Sequence, residues 1–296
     1  MQAWSSSDFP YQCLLDSRRT RAFQAAIRAS VKPGDIVVDA GAGSGILSFF
    51  AAEAGAGKVY AVEVDPALAS CLTRSARANG FQQVIEVVQA DIQSAPLPRA
   101  VDVLICEMMD TGLMEEMQVS AVNSLFERGV LAPHTRCIPC QYETFLELGC
   151  SDFNYYGHEV LMPRHDWPHL RVADAREEGC TCSTGSRGTG WLPTGFHALS
   201  DLECLSLLDL QQPVSEQVDV TLAIPIIASG VVNAVRISAR ARLCAGLVVG
   251  ATNALNGDKV LPLDAARVSA GEAVVARIRY RRGGGLASFA VECSPA

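Results

Sequence analysis

The stretch Asp39-Ala40-Gly41-Ala42-Gly43-Ser44-Gly45-Ile46-Leu47 constrains this chain more than any other. It follows a short apolar run, Ile36-Val37-Val38, and leads into a helical-looking segment from Ile46 to Ala56. Strand, glycine-rich turn and helix suit a nucleotide-like ligand. Glycines let the backbone turn sharply and approach the ligand, and a helix start offers free N–H donors. The spacing Gly41-x-Gly43-x-Gly45 is tighter than the dinucleotide pattern G-x-G-x-x-G, which makes NAD the weaker reading. Glu63 closes the next apolar run, Val59-Tyr60-Ala61-Val62, about twenty residues on, where an acid would hold a ribose diol. A glycine-rich turn with no ligand is the plain alternative, and the combination of strand, helix and downstream acid weighs against it.

The segments around this turn alternate between the two periods. A helical pattern over Tyr11 to Ala29 follows a Ser-rich lead of ten residues ending at Pro10, and Pro33-Gly34-Asp35 turns the chain into the first strand. Strands are expected at Val59–Val64, Val84–Gln89 and Val101–Cys106, and helices at Pro66–Asn79 and Glu116–Arg128. Such alternation implies an α/β, Rossmann-like parallel sheet with helices on both faces and ligands at the carboxyl ends of its strands. Asp39, Glu63, Asp91 and Glu107 all fall at those ends.

Beyond Leu131-Ala132-Pro133 the texture changes. Alternating runs at Cys140–Leu148, Val218–Ala223, Ala234–Leu243, Leu247–Ala251, Ala273–Tyr280 and Leu286–Glu292 predict a β-sandwich or barrel. We therefore expect residues 1–138 to form the Rossmann-like domain and residues 139–296 a β-barrel, with an irregular insert near 151–195.

At 296 residues the chain suits two domains. Hydrophobic residues at 49% and charged ones at 19% place it among globular chains. A net charge of −8 argues against a broad nucleic-acid face and permits a cationic substrate. The 11 cysteines show no regular pairing, and Cys137-x-x-Cys140 and Cys180-x-Cys182 lack a second ligand pair, so no metal is expected. Most of them are expected to be small buried hydrophobes in a reducing compartment. With no signal-peptide pattern and no bilayer-length apolar run, the expectation is a soluble protein of the cytoplasm or nucleus, not a membrane protein.

Glu107 ends the fourth strand and Glu116 lies nine positions further, bracketing a loop at the sheet's carboxyl edge. Two carboxylates converging there fit a guanidinium, whose planar fork donates parallel charge-assisted hydrogen bonds. A guanidinium pKa of about 13 puts deprotonation at neutral pH about 8 kcal/mol uphill. Orientation and localisation of charge are therefore the cheaper contributions. The rival reading is that Glu115-Glu116 caps the following helix. For Arg277-x-Arg279-Tyr280-Arg281-Arg282, the outer face of a strand is a plainer reading than a nucleic-acid contact. Solvated loop positions are likewise plainer than metal ligation for His158, His165, His169 and His197, and packing plainer than nucleophilic chemistry for Cys106.

On these residues the chain resembles the protein arginine methyltransferases, S-adenosylmethionine-dependent enzymes of class I. Leu15-Asp16-Ser-Arg-Arg19-Thr20 looks like their Asp-x-x-Arg-Thr helix, which implies that Arg19 meets the cofactor carboxylate. Val38-Asp39 through Gly41, Gly43 and Gly45 to Leu47 is similar to their first motif, Val62-Glu63 to the ribose acid, and Ala90-Asp91-Ile92 to the adenine-facing segment. Glu107 to Glu116 has the spacing of their double-glutamate loop, and its Asp110-Thr111 resembles the monomethylating branch. Leu199-Ser200-Asp201 and Asp209-Leu210 resemble the opening of their barrel. The resemblance implies S-adenosylmethionine as cofactor, an exposed arginine of a protein as substrate, and a homodimer or partner subunit. Three family features are altered. The Tyr-rich lid helix is reduced to Phe9 and Tyr11, and the Thr-His-Trp loop has its nearest counterpart in Thr252-Asn253-Ala254. The dimerisation arm has no clear match outside Ser151–Gly190. These departures keep two alternatives open: another methyl acceptor, or an inactive cofactor-binding partner subunit.

Overall fold

The computed structural model describes residues 7–167 and 195–295. The first layer is a parallel sheet of β1 (Ile36–Ala40), β2 (Lys58–Glu63), β3 (Ile85–Gln89), β4 (Val103–Cys106) and β5 (Arg136–Ile138), in the order β3-β2-β1-β4-β5. The order reverses beside β1, so the crevice at the carboxyl ends of β1 and β4 is where such a sheet takes a ligand. Alternate residues of the strands point to opposite faces, and each face is covered. Val37, Val59, Ala61 and Ile105 pack against Phe23 and Ile27 of α2 (Ser17–Ser30), Phe50 and Ala51 of α3 (Ile46–Glu53) and Leu72 of α4 (Pro66–Ala78). Val38, Ala40, Val62 and Leu104 pack on the other side against Ala121, Val122 and Leu125 of α5 (Gln118–Glu127).

The expected single helix over Tyr11–Ala29 is two helices. The first, α1 (Phe9–Leu15), has Pro10 in its opening turn, and α2 starts after Asp16. Asp16 forces the break: its Oδ1 accepts the Arg19 N–H at 3.0 Å, satisfying an orphan donor of α2 as an N-cap.

The antiparallel half begins at β6 (Gln141–Cys150). Short pieces follow, β7 (Asn154–Tyr155), β8 (His158–Glu159), β9 (Arg164–Asp166) and β10 (His197–Ala198). The long strands are β11 (Glu203–Asp209), β12 (Gln217–Pro225), β13 (Gly230–Cys244), β15 (Asp258–Val268) and β16 (Ala273–Arg281), with β14 (Leu247–Val249) and β17 (Ala290–Pro295) shorter. One sheet runs β10-β6-β13-β15-β9, with β11 beside β6 and β14 beside β13, and a second runs β12-β16-β17. Leu146, Leu148, Val235, Ile237, Ile224 and Ile278 fill the space between them, and Met114 from the parallel half joins that core. Strands β11 and β15 lie outside the sequence expectations; Pro262 interrupts the alternating pattern inside β15. The last strand starts at Ala290, because Leu286–Ser288 forms a 3₁₀ turn.

Among the described residues no helix is long and apolar enough to cross a membrane. Two of the nine described cysteines, Cys106 and Cys137, are buried, and Cys71, Cys204 and Cys293 are exposed. The other four, Cys13, Cys140, Cys150 and Cys244, are half-buried, which corrects the expectation that most cysteines are buried. Cys180, Cys182 and His169 lie outside the described residues. The arginine run of β16 faces outward and is matched across strands, Arg277 to Asp219 at 2.7 Å, Arg281 to Glu216 at 2.9 Å, and Arg279 to Glu292.

Candidate active site

The turn after β1 is held by side chains behind it. Glu63, buried at the end of β2, accepts the Gly43 N–H through Oε2 and the Asp65 N–H through Oε1, both at 2.8 Å. Its carboxylate so closes the turn and keeps lone pairs for further donors. Gly41 has φ +70, and a Cβ there would meet the Met108 side chain at 2.8 Å, so only glycine allows this approach. Asp39 is 1% exposed and accepts the Ser48 hydroxyl at 2.6 Å. Burial pushes its carboxyl up to about 6, with the Ser48 hydrogen bond opposing.

A cavity of about 570 Å³ opens in front of this turn, within the range of small-ligand sites. Gly41, Gly43, Glu63, Asp91 and Ile92 line it, as do Arg19, Glu107 and Glu116. The sequence expectation placed Asp39 and Gly45 among the binding residues, but neither is on the cavity wall. Asp39 sits behind the turn on Ser48, and Gly45, with φ +83, is the left-handed entry to α3, packed on Leu72. Their placement makes them supports of the turn.

Arg19 projects from the first turn of α2 into the cavity, 5% exposed, and its guanidinium donates to Glu107 Oε2 and to Cys13 O at 3.3 Å. Its Nε is buried with no hydrogen-bond partner. A guanidinium carries five N–H donors, more than Glu107 and Cys13 O engage, and the Arg19 side chain lines the cavity. A carboxylate-bearing ligand fits the remaining donors, and the Gly41–Gly43 backbone with Glu63 fits its polar remainder. The residues present therefore suit a nucleoside cofactor with an amino-acid tail.

The loop from Glu107 to Glu116 does not cap the helix that follows. Helix α5 begins at Gln118, its N-cap is Met117, and Met117 makes no side-chain cap. Instead Asp110 caps the loop internally, accepting the N–H groups of Glu115 and Glu116 at 3.0 Å. Glu116 opens partly onto the cavity. The dense protein around it, with Asp110 adding repulsion, pushes its carboxyl up to about 8 against the pull of Arg19 and Lys259.

Several groups at the site take roles that the sequence did not assign to them. Phe9, Pro10 and Cys13 of α1 line the cavity, so the reduced lid is rebuilt on a short proline-started helix. Asp16, besides capping α2, accepts the Ala254 N–H at 2.8 Å through Oδ2, which seats the Thr252–Ala254 loop beside the site. Lys259, Tyr142 and Tyr280 come from the antiparallel half to hold the double-glutamate loop. Among the described residues no His, Cys, Asp and Glu cluster could hold a metal. Cys106 is buried, and burial drives its thiol well up, away from nucleophilic use.

Comparison with known proteins agrees with this geometry. A family model described as Ribosomal protein L11 methyltransferase (PrmA) matches residues 19–133. Protein MJ1452 of Methanocaldococcus jannaschii is 36% identical over 152 residues, 51% of this chain and 58% of that protein. Protein arginine N-methyltransferase PRMT10 of Oryza sativa subsp. japonica is 36% identical over 166 residues, 55% of this chain and 43% of that protein. The chain thus spans about half the length of the curated relatives it matches. The Trypanosoma brucei PRMT1 enzyme-prozyme heterotetrameric complex with AdoHcy superimposes with a TM-score of 0.69 over 96% of both chains at 20% identity, a likeness of fold. Over 55% of its length the chain is thus similar in sequence to a protein arginine N-methyltransferase, and along nearly its whole length it shares the Rossmann-like and β-barrel fold of the PRMT1 chain.

Proposed function

We propose that this protein transfers a methyl group from S-adenosylmethionine to a guanidinium nitrogen of an arginine in a protein substrate. The observation that carries this reading is that Glu107 and Glu116 line the same cavity as Arg19, Gly41, Gly43 and Glu63. When bound, S-adenosylmethionine supplies a methyl already activated on a sulfonium. Arg19 would take its carboxylate, Glu63 its ribose hydroxyls, and Asp91 with Ile92 its adenine, while Asp39 and Gly45 hold the turn in shape.

Two carboxylates on one wall orient a guanidinium by charge-assisted hydrogen bonds and draw positive charge toward the nitrogens they face. Arg19 holds Glu107 in place through their ion pair. Glu116 binds a proton in the ligand-free site up to about pH 8, and a cationic substrate favours its ionised form. Alignment of acceptor and methyl is the main contribution asked of these residues.

The Asp110-Thr111 pair supports monomethylarginine as the product, and the division of labour supports domains at 1–138 and 139–296. A second copy is the proposed partner. Exposed Tyr156, Leu161 and Met162 on the β7–β8 arm offer it an apolar surface. A second reading, in which the methyl acceptor is another side chain or a small molecule, draws on the Thr252–Ala254 loop, which brings no aromatic ring to stack on a guanidinium. Label transfer from S-adenosylmethionine to a panel of proteins and small molecules, followed by amino-acid analysis, separates the two. Methylarginine supports the first and label elsewhere the second.

A further inference from the structure

We propose that Lys259 is a positioning residue for the double-glutamate loop, acting from the antiparallel half through Asp110 on the backbone that presents Glu116. This rests on the reading of Glu116 as a substrate-binding carboxylate.

Lys259 stands near the start of β15 and is 1% exposed. A lysine this deep loses its hydration, so its charge persists only where partners replace water. Its Nζ donates to Asp110 Oδ2 and lies 3.0 Å from Glu115 Oε2. Asp110 in turn spends its carboxylate on the loop. Oδ2 accepts the Met114 N–H at 3.2 Å, and Oδ1 accepts the N–H groups of Glu115 and Glu116 at 3.0 Å. One buried cation thus fixes the single side chain that gathers three consecutive amides at the glutamate.

The loop needs such a hold. Gly112 and Leu113 both have positive φ, +78 and +54, so no regular helix ladder stiffens it. Its centre is tied down elsewhere, by Thr111 Oγ1 to Gly257 O at 2.6 Å and by the Tyr280 hydroxyl to Gly112 O at 3.0 Å. Those bonds end short of Glu116, whereas the Lys259–Asp110 pair reaches it.

The same pair sets the charge around Glu116. Asp110 and Glu115 on its own loop disfavour its ionisation, while Arg19 from α2 and Lys259 from β15 favour it. Glu107 at the end of β4 shares its cavity, and Cys13 of α1 and Tyr142 of β6 also face it. A purely structural ion pair would stabilise the fold without governing how Glu116 titrates or how fast arginine reacts.

The test uses the full chain with Lys259→Met, Asp110→Asn and the two combined. The Glu116 carboxyl is followed by NMR with labelled glutamate, and methyl transfer to an arginine peptide is followed across pH. Lys259→Met is expected to raise the Glu116 midpoint, to move the acidic limb of the rate profile upward, and to lower kcat about tenfold to a hundredfold through misplacement, with cofactor affinity little changed. In the combined variant two opposing charges are gone, so the midpoint returns to the natural value or below and part of the rate recovers. Should Lys259→Met fail to fold, the combined variant carries the test, because it leaves no lone buried carboxylate. An unmoved midpoint and rate in Lys259→Met, or a midpoint still raised in the combined variant, overturns the proposal. A natural protein that binds cofactor but never methylates arginine sinks the arginine assignment, and the Glu116 midpoint still decides the role of Lys259.

Discussion

Arg19 and Glu107 face each other across the mouth of the parallel sheet, the arginine from the first turn of α2 and the acid from the end of β4, with only 6% and 11% of their side chains exposed. One pair joins the group that would take a cofactor carboxylate to a group that would take a substrate guanidinium. On the proposed function, binding of the two ligands would be coupled through this shared buried ion pair, whose rupture leaves an uncompensated charge.

Replacing Arg19 by Ala removes the cation proposed to meet the cofactor. S-Adenosylhomocysteine affinity, read by calorimetry, is expected to fall about tenfold to a hundredfold, the value of one charge-assisted hydrogen bond. Affinity within about twofold of the natural protein contradicts the assignment.

Glu63 closes the glycine turn through Gly43 and Asp65. Glu63→Ala leaves the buried Asp65 N–H, and the Gly43 N–H on the cavity side, without this acceptor, so both stability and cofactor affinity are expected to drop, stability by about 1–3 kcal/mol. Thermal unfolding with and without cofactor measures both. A variant that loses neither removes Glu63 from the site.

Glu116 and Asp39 bind protons in the folded protein at a pH where their unfolded counterparts have lost them, since burial raises them to about 8 and about 6. Where the folded state holds more protons, stability falls as pH rises. The ligand-free protein is thus expected to lose stability from about pH 4 to pH 8, with the Asp39 part complete near 6 and the Glu116 part near 8. Glu116→Gln should flatten the upper part of that decline. A melting temperature that rises with pH over this window contradicts the burial of both acids.

Asp16 joins the two halves, one oxygen on Arg19 N–H and the other on Ala254 N–H. Asp16→Ala is expected to cost about 1–3 kcal/mol, combining a lost helix cap with an orphaned buried amide. Asp16→Asn retains one acceptor oxygen and should recover part of the loss. Equal stability of all three in denaturant titration excludes the bridging role.

Much of the parallel half was legible in the sequence because its signals are local. Apolar runs bounded by Gly34, Gly80 and Gly129 mark the strands and helices, and an acid ending a strand, Glu63 or Glu107, is placed at the ligand edge by topology alone. What stayed hidden depends on distant partners. Asp16 reads as an exposed helical residue until Ala254 is brought to it from the far half of the chain. Lys259 and Asp258 open a strand with charges that look like a loop, and Asp110, noted in the sequence only for its family resemblance, shows its hold on the loop once Lys259 reaches it. Asp39 shows the converse failure: its place in a binding motif says nothing of which way its carboxyl points.

The central claim is that Glu107 and Glu116 hold an arginine for methylation, and labelled S-adenosylmethionine tests it most directly. The natural protein, Glu107→Gln and Glu116→Gln are incubated with arginine-rich proteins, and the product is hydrolysed to amino acids. Label in monomethylarginine from the natural protein, reduced about a hundredfold to a thousandfold in each variant while cofactor still binds, is the expected result. No methylarginine despite cofactor binding, or equal label in all three proteins, would contradict it.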